Sequence, residues 1–343
     1  MMLETPSSDD RAIWDVWLSM YWLPSVTAAA ELGVFESLAE SPATGIELAN
    51  RLDLSERGVE VLLPMLTSLG LLVTRRGAYQ LTDTAYNFLV KGSPYYWGNV
   101  LKRSRDAVSL HETLQDAIRS GDTKTMRALD PSRPPDGFNE DAIDLDSARD
   151  VAGFMQSHSL PAALGVARNG NFAGIRKLLD VGGGSGCFSI ALARRLDELR
   201  CTVMDLPAMC EVAREYIAAG RVSDRVDAMA VDMFRQPWPR GYDAMFLSNI
   251  FHDWSSAKCA QLAEKAFEAL PSGGRIYLHE MLLDDSGQGP RHATAFSVLM
   301  LLGTEGRQLS FSEVSSLLEN AGFKNVDVTN TYGYYSLVCA YKP

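Results

Sequence analysis

The sequence predicts an α/β protein in which a Rossmann-like, doubly wound sheet follows an N-terminal helical region. The first indication is a short apolar run that leads into a glycine-rich turn and then a helical run, between residues 177 and 196. The second is the alternation of apolar strand-like runs with helical runs from about residue 151 onward. The third is a helix–helix–hairpin pattern at residues 44–82, which is typical of a winged helix.

The length and composition are those of a globular protein of about two domains. The 343 residues are 46% hydrophobic and 22% charged, which excludes wholesale disorder. The 32 lysines and arginines are outnumbered by 43 aspartates and glutamates, for a formal net charge of −11. Because such a surface repels phosphates and anionic lipids, we expect neither nucleic acid nor a membrane as a partner.

Cysteine usage and the N-terminal sequence predict a cytoplasmic protein. The five cysteines are scattered singly, without a CxxC pair, which indicates reduced thiols and no metal site. The acidic N-terminal segment lacks the basic start and apolar core of a signal peptide. No apolar run approaches the roughly 18 residues that a membrane span requires.

The N-terminal region begins with an apolar stripe at helical spacing, which we expect to end at Pro24. Its members are Ile13, Trp14, Trp17, Met20 and Tyr21. A lone helix cannot hide so many large apolar side chains, so another surface is expected to cover them. That surface belongs either to the same chain or to a second copy.

The winged-helix pattern rests on cap and turn residues. Thr44 and Glu47 form a capping box, Ser55 caps a second helix, and Gly70 ends that helix. A hairpin at 71–82 follows.

The charge of this module opposes DNA binding. The second helix, 56–69, carries two acidic residues and one basic residue, for a net charge of −1. A helix that enters a DNA groove normally presents several arginines or lysines. We therefore predict a dimerisation and substrate-lid module.

Changes in composition divide the chain into three segments. Residues 1–103 form the helical, winged-helix dimerisation domain, and residues 104–150 form a helical linker with a proline-rich and acidic loop. Residues 151–343 form the sheet domain that would bind a cofactor.

The glycine-rich turn indicates a ligand site without a pyrophosphate. Gly182, Gly184 and Gly186 let the backbone turn sharply and approach a ligand at the start of a helix. Position 187 is a cysteine, where the dinucleotide fingerprint requires its third glycine. This spacing disfavours a nicotinamide oxidoreductase, which absorbance at 340 nm would reveal.

Each of the next three predicted strands, at 201–204, 227–231 and 242–247, is followed by a pair of residues of which at least one is polar. Because the carboxyl ends of parallel strands share one edge of the sheet, these residues are expected to line one site. They are Asp205 with Leu206, Asp232 with Met233, and Ser248 with Asn249. Each aspartate taken singly could have only a structural role, as a helix cap or in a turn. The ordered set predicts an adenosine site, with the ribose at the first aspartate and adenine near the second.

The motifs that carry these residues resemble those of small-molecule O-methyltransferases, the plant caffeate- and flavonoid-type enzymes and the bacterial antibiotic-tailoring enzymes similar to them. They are LDVGGGSG at 179–186, MDLP at 204–207, VDMF at 231–234, FHDW at 251–254, LPSGG at 270–274 and AGF at 321–323. The resemblance covers nearly the whole chain. It implies a class I methyltransferase sheet of seven strands closed by an antiparallel hairpin, which segments 326–330 and 336–342 suit. It also implies S-adenosyl-L-methionine as methyl donor, S-adenosyl-L-homocysteine as product, and a homodimer formed through the N-terminal domain.

The same resemblance assigns catalytic roles. His252 would be the catalytic base, with Glu280 as the first carboxylate that orients it. Gln308 stands where the family has a second acid, and Glu305 could replace that acid only if its loop shifts. A core or capping histidine is the alternative interpretation of His252.

Cofactor and acceptor residues follow from matching positions. The three glycines would line the methionine moiety, Asp232 and Met233 would hold adenine, and Ser248 occupies the position of a lysine in plant members. Residues of a candidate acceptor pocket are Phe154, Met155, His158 and Trp254, although the first two could equally form plain interdomain core.

The predicted reaction is methyl transfer to a phenolic hydroxyl of a small aromatic metabolite in natural-product biosynthesis. One alternative is carbon methylation ortho to a phenol, which Gln308 leaves open. Another is a winged-helix regulator that senses the cofactor, which a gel-shift assay would reveal.

Overall fold

The computed structural model describes residues 8–93, 96–97, 101, 111–121 and 143–343. These residues belong to two compact units. The sheet unit lies within Met1–Arg11, Ser132–Leu282 and Leu309–Pro343, and the helical unit lies within Ala12–Pro131 and Leu283–Gln308. This division differs from the three consecutive segments expected at 1–103, 104–150 and 151–343, because 283–308 packs with the N-terminal helices. Most of the expected proline-rich loop, at 122–142, lies outside the described residues.

The helical unit contains a winged-helix arrangement. Its helices are α1 (Arg11–Leu18), α2 (Trp22–Glu31), α3 (Val34–Glu40), α4 (Gly45–Leu52), α5 (Glu56–Ser68), α6 (Asp83–Leu89), α7 (His111–Ser120) and α12 (Arg291–Gly303), numbered in chain order. Strands β1 (Leu72–Arg75) and β2 (Ala78–Leu81) pair antiparallel and form the predicted hairpin.

The predicted caps of this unit are confirmed. The Glu47 N–H donates to Thr44 Oγ1, and the Thr44 N–H donates to the Glu47 carboxylate at 2.8 Å. Ser55 Oγ accepts from the Gly58 N–H at 3.0 Å. The expected apolar stripe extends from α1 through a 3₁₀ turn at Ser19–Tyr21. Pro24 lies in the first turn of α2, where a helix needs no N–H donor.

Segment 283–308 joins the helical unit because α12 packs against α5. Ser68 Oγ lies 3.1 Å from Thr294 Oγ1. The Arg57 guanidinium donates to the carbonyl oxygens of Thr304 and Gly306, at 2.6 and 3.1 Å, beyond the C-terminal end of α12. A cation at a helix C-terminus satisfies carbonyl groups that have no partner within the helix.

The sheet unit is a seven-stranded sheet with helices on its faces. Its strands are β3 (Lys177–Val181), β4 (Arg200–Asp205), β5 (Val226–Ala230), β6 (Ala244–Ser248), β7 (Arg275–Glu280), β8 (Lys324–Tyr332) and β9 (Tyr335–Tyr341). Its helices are α8 (Leu145–Asn169), α9 (Cys187–Arg195), α10 (Pro207–Gly220), α11 (Ser256–Ala269) and α13 (Phe311–Asn320).

The strand order is β5-β4-β3-β6-β7-β9-β8. Strands β3 to β7 run parallel, and β9 pairs antiparallel with β7 and β8, so the predicted closing hairpin is confirmed. The order reverses between β3 and β6, because the chain first builds outward through β4 and β5. Ligands of open α/β sheets bind at the carboxyl ends of the strands beside such a reversal. Among the described helices, none is long and apolar enough to cross a membrane.

Candidate active site

The glycine turn after β3 requires glycine for both conformation and space. Gly182, Gly184 and Gly186 have φ values of +65°, +57° and +73°, in the left-handed region that disfavours side chains. A Cβ atom on Gly182 would lie 2.4 Å from the side chain of Ile250. At Gly184 the nearest atom would be 3.9 Å away, on Met209, so the turn leaves room there for a ligand.

Asp205, at the end of β4, is held against this turn. Its Oδ2 accepts from the Gly184 N–H at 2.8 Å, and its Oδ1 accepts from the Leu206 N–H at 2.7 Å. Burial raises the pKa of Asp205, and these two hydrogen bonds oppose that rise. Each oxygen retains a second lone pair, so the carboxylate can accept from the two hydroxyls of a ribose.

The loop after β5 carries the predicted adenine residues. Asp232 Oδ1 accepts from the backbone N–H of Phe234 at 2.8 Å and so shapes the loop itself. Lys265, on α11, donates to the carbonyl oxygens of Met233 and Phe234 at 2.9 and 3.0 Å. Trp254 packs edge-to-face on Phe234, with ring centroids 4.7 Å apart. The loop therefore presents an apolar, partly aromatic wall.

These elements surround one cavity of the sheet unit, of about 1000 Å³ including its solvent-open mouth. The predicted residues that line it are Met155, Gly182, Gly184, Asp205, Leu206, Asp232, Met233, Ser248 and Trp254. Gly186 does not line the cavity and instead caps the start of α9. The side chains of Phe154 and His158 lie outside the described residues.

His252 lies in a short 3₁₀ turn at Phe251–Asp253 and is buried. Its Nδ1 is 2.7 Å from Oε2 of Glu280, and its Nε2 is 3.6 Å from Oδ1 of Asp253. Glu280 Oε1 accepts from the backbone N–H groups of Ile250 and Phe251 at 3.0 and 3.1 Å. This carboxylate therefore holds the turn through Oε1 and places Oε2 beside the imidazole, and a proton on Nδ1 would leave the lone pair on Nε2.

Gln308 belongs to the helical unit, whereas His252 and Glu280 belong to the sheet unit. The Gln308 side chain is fully buried, and its backbone N–H donates to Ser297 Oγ at 3.1 Å.

Two further residues, Asn249 and Asp180, line this cavity. Asn249 is buried, lines the cavity and has a φ of +55°, which is uncommon for a residue other than glycine. Asp180, on β3, lies beneath Gly183 and accepts from Ser189 Oγ at 2.7 Å. Burial raises the pKa of Asp180 to about 7. The sequence predicted Asn249 at this edge because it directly follows a strand. Asp180 was not predicted as a site residue, because it lies within the apolar pattern of a strand.

Comparisons with known proteins show the family of this chain. Residues 111–324 match the O-methyltransferase domain, and residues 16–91 match the O-methyltransferase dimerisation domain. The chain is 35% identical over 320 residues to 3-hydroxy-5-methyl-1-naphthoate 3-O-methyltransferase from Streptomyces sahachiroi, covering 91% of this chain and 89% of that protein.

Solved structures share the fold over nearly the full length. An O-methyltransferase family 2 protein from Planctomyces limnophilus, in complex with apigenin, has a TM-score of 0.86 and 30% identity, covering 99% of this chain and 98% of that one. Human N-acetylserotonin methyltransferase, in complex with S-adenosylmethionine, has a TM-score of 0.60 and 25% identity, covering 98% of this chain and 99% of that one. The chain therefore belongs to the O-methyltransferase family and is an S-adenosylmethionine-dependent O-methyltransferase.

Proposed function

We propose that this enzyme methylates a phenolic hydroxyl of a small aromatic metabolite, with His252 as general base. The observation that carries the proposal is the 2.7 Å approach of His252 Nδ1 to a carboxylate that is itself anchored on two backbone N–H groups. A buried imidazole held in this way presents a defined lone pair on Nε2.

The cavity residues fit S-adenosylmethionine. Gly184, which has space beside it, and Gly182 would contact the methionine part of the cofactor. The carboxylate of Asp205 would accept hydrogen bonds from the ribose hydroxyls. Asp232 and the apolar side chains of Met233 and Leu206 would hold adenine. When bound, the cofactor supplies a methyl group on a sulfonium, which is already strongly activated for displacement.

The residues of this chain then position the acceptor substrate and provide a group that accepts its proton. Holding the acceptor oxygen in line with the methyl group lowers the activation free energy by up to about 7–11 kcal/mol. A phenol is a weaker acid than an imidazolium by roughly 3.5 pKa units, so complete prior transfer of the proton costs about 5 kcal/mol. The proton therefore moves to Nε2 of His252 as the methyl group arrives, and Glu280 stabilises the resulting imidazolium.

The relatives support an aromatic acceptor and a role in natural-product biosynthesis. The Streptomyces relative is named for a hydroxynaphthoate, and the Planctomyces structure is a complex with apigenin. Met155, on α8, contributes apolar surface to the cavity, and Phe154 and His158 remain predicted acceptor contacts on the same helix.

We also propose that the enzyme is a homodimer formed through its N-terminal domain. The match to a dimerisation domain supports this, and so does an apolar stripe that is exposed on the helical unit. Its residues are Ile13, Val16, Met20 and Leu23. Ile13 and Val16 lie on α1, Met20 lies in the 3₁₀ turn at Ser19–Tyr21, and Leu23 lies in the first turn of α2. Ile13 and Val16 are 72% and 73% exposed, which is typical of a surface that a partner covers.

The test of the proposed chemistry separates binding from turnover. Calorimetric titration with S-adenosylhomocysteine should give equal affinity for the wild type and His252→Ala, whereas Asp205→Ala should bind at least ten-fold more weakly. With a hydroxynaphthoate acceptor, His252→Ala should lower kcat by about 10²–10⁴-fold. An unchanged kcat in that variant would remove His252 from the mechanism.

The product distinguishes oxygen from carbon methylation. Transfer to oxygen removes the titratable hydroxyl and gives a methoxy signal in the NMR spectrum. Transfer to carbon keeps the hydroxyl and removes a ring proton, which would contradict the proposed acceptor atom.

A further inference from the structure

Helix α11 (Ser256–Ala269) begins just after the turn that carries His252, and two of its side chains contact backbone carbonyl groups of the site. Cys259 contacts the His252 turn, and Lys265 contacts the loop after β5. A separation of six residues places the two side chains about 9 Å apart along the helix axis. The helix therefore reaches the turn and the loop at two separate points.

The Cys259 thiol holds the carbonyl side of the His252 turn. Its Sγ donates to the carbonyl oxygen of Phe251 at 3.1 Å and lies 3.6 Å from that of Trp254. These carbonyls belong to the first residue of the 3₁₀ turn and to the residue that follows the turn. Only 1% of Cys259 is exposed, so bulk water does not compete with the thiol for these carbonyls.

Glu280 holds the opposite side of the same turn. Its Oε1 accepts from the N–H groups of Ile250 and Phe251, whereas Cys259 contacts carbonyl groups. His252 lies between these two anchors, and its Nδ1 is 2.7 Å from the second oxygen of Glu280. A shift of the turn would lengthen this contact, so an anchor on α11 bears directly on the position of the imidazole.

Lys265 holds the loop after β5 in the same manner. Its ammonium group donates to the carbonyl oxygens of Met233, Phe234 and Gln236, at 2.9, 3.0 and 2.7 Å. An ammonium group has three N–H donors, so these three carbonyls use all of them. Burial lowers the pKa of Lys265, and the Asp232 carboxylate opposes that decrease. The cation therefore shapes the loop that carries Met233 instead of binding a ligand itself.

We propose that Cys259 and Lys265 are positioning residues with separate tasks. Cys259 fixes the imidazole of His252 against Glu280, and Lys265 fixes the loop that contacts adenine. The inference rests on the proposed function, which supplies the roles of His252 and of this loop. Because the two side chains act on different segments, each task can be removed without the other.

The test measures the two tasks separately in the whole protein and requires no acceptor substrate. A buried imidazole N–H that faces a carboxylate gives a proton resonance far downfield in the NMR spectrum, and the loss of this resonance in His252→Ala assigns it. Calorimetric titration with S-adenosylhomocysteine reports on the adenine loop. Both measurements are made on the wild type, Cys259→Ala, Cys259→Ser and Lys265→Met.

Cys259→Ala should lose the downfield resonance of His252 while its affinity for S-adenosylhomocysteine stays within about two-fold of the wild type. Cys259→Ser, which keeps a hydrogen-bond donor at this position, should retain the resonance. Lys265→Met should bind the ligand about ten-fold more weakly, because three hydrogen bonds from a charged group to the loop are lost, and should retain the resonance.

Cys201→Ala and Glu264→Gln are the matched controls. The first removes another buried thiol, on β4, and the second changes an exposed carboxylate beside Lys265 on α11. Neither control should alter either measurement. An unchanged resonance in Cys259→Ala or an unchanged affinity in Lys265→Met would overturn this inference. A change of both measurements in one of these variants would also overturn it, because a general loss of structure has that effect.

Failure of the proposed function would give a different result, in the wild type itself. A wild type without a downfield resonance that depends on His252 would contradict the pairing of His252 with Glu280, and this inference would fail with it. A wild type that does not bind S-adenosylhomocysteine would contradict the cofactor site in the same way. When the wild type shows both properties, the outcome depends only on the α11 variants.

Discussion

At the scale of single residues, the two oxygens of Glu280 have separate tasks. Oε1 ties down the turn that carries His252 through two backbone N–H groups, and Oε2 faces the imidazole. The residue is buried, so its partners hold it in one geometry. The motif alone pointed to this pairing, but not to the anchoring of the turn, which depends on the position of β7 beside β6.

Glu280→Gln should separate these tasks. The amide oxygen can still accept from the Ile250 and Phe251 N–H groups, but the NH₂ group would face Nδ1 and favour the wrong imidazole tautomer. We expect kcat to fall by about 10²–10⁴-fold with unchanged affinity for S-adenosylhomocysteine. The exposed Glu319→Gln serves as the control, and a near-normal kcat in Glu280→Gln would show that the carboxylate does not support the base.

At the scale of elements, helix α5 is organised by two close contacts with α7. Ser55 Oγ donates to the Ile118 carbonyl at 2.6 Å, and a Cβ atom on Gly58 would lie 2.2 Å from the same oxygen. Backbone approach this close requires glycine. Because both helices belong to the helical unit, the contact stabilises that unit itself.

Gly58→Ala should therefore destabilise the protein by about 1–3 kcal/mol, because the helices must separate. Gly45→Ala is the matched control: it also lies in a helix, and its Cβ would be 3.7 Å from the nearest atom, on Val59. Thermal unfolding followed by circular dichroism should show a lower Tm for Gly58→Ala alone. Equal Tm values for the two variants would contradict the packing described here.

Sequence patterns predicted local features well and distant contacts poorly. The capping box at Thr44, the cap at Ser55 and the start of the sheet at β3 depend on neighbouring residues, and each was predicted correctly. The close approach at Gly58 and the left-handed conformation of Asn249 depend on elements far away in the sequence. No local pattern could encode them.

At the scale of the whole molecule, two buried groups give the stability opposite dependences on pH. Burial raises the pKa of Asp180 from its ordinary value of 3.8 to about 7 in the folded protein, so its contribution to the free energy of unfolding is lost as pH rises between these values. Burial lowers the pKa of His279 from its ordinary value of 6.5 to about 3 in the folded protein, so its contribution to the free energy of unfolding is lost as pH falls between these values.

Asp180→Asn should remove the first dependence and leave the second. Between pH 4.5 and 6.5 the free energy of unfolding should therefore rise with pH more steeply in Asp180→Asn than in the wild type. Urea titrations at several pH values would measure the difference, with the exposed Asp197→Asn as the control. Parallel pH profiles for the wild type and Asp180→Asn would contradict the buried, protonated state of Asp180.

The proposed dimer is tested on the exposed stripe of the helical unit. Val16→Lys should shift the mass measured by light scattering from that of a dimer toward that of a monomer, because a charge would be buried at the interface. Ile46→Lys, on α4, changes an equally apolar residue that is 61% exposed outside the stripe and should leave the mass unchanged. A dimeric mass for Val16→Lys would exclude this stripe as the interface.

The interrupted helical unit has a consequence for the order in which the protein is made. Helix α5 leaves the ribosome early, but its packing partner α12 is synthesised only after strands β3 to β7. Until then, the α5 surface that α12 covers is exposed and Arg57 lacks the carbonyl groups beyond α12. The first helices to be translated therefore reach their final packing only after most of the sheet has been synthesised.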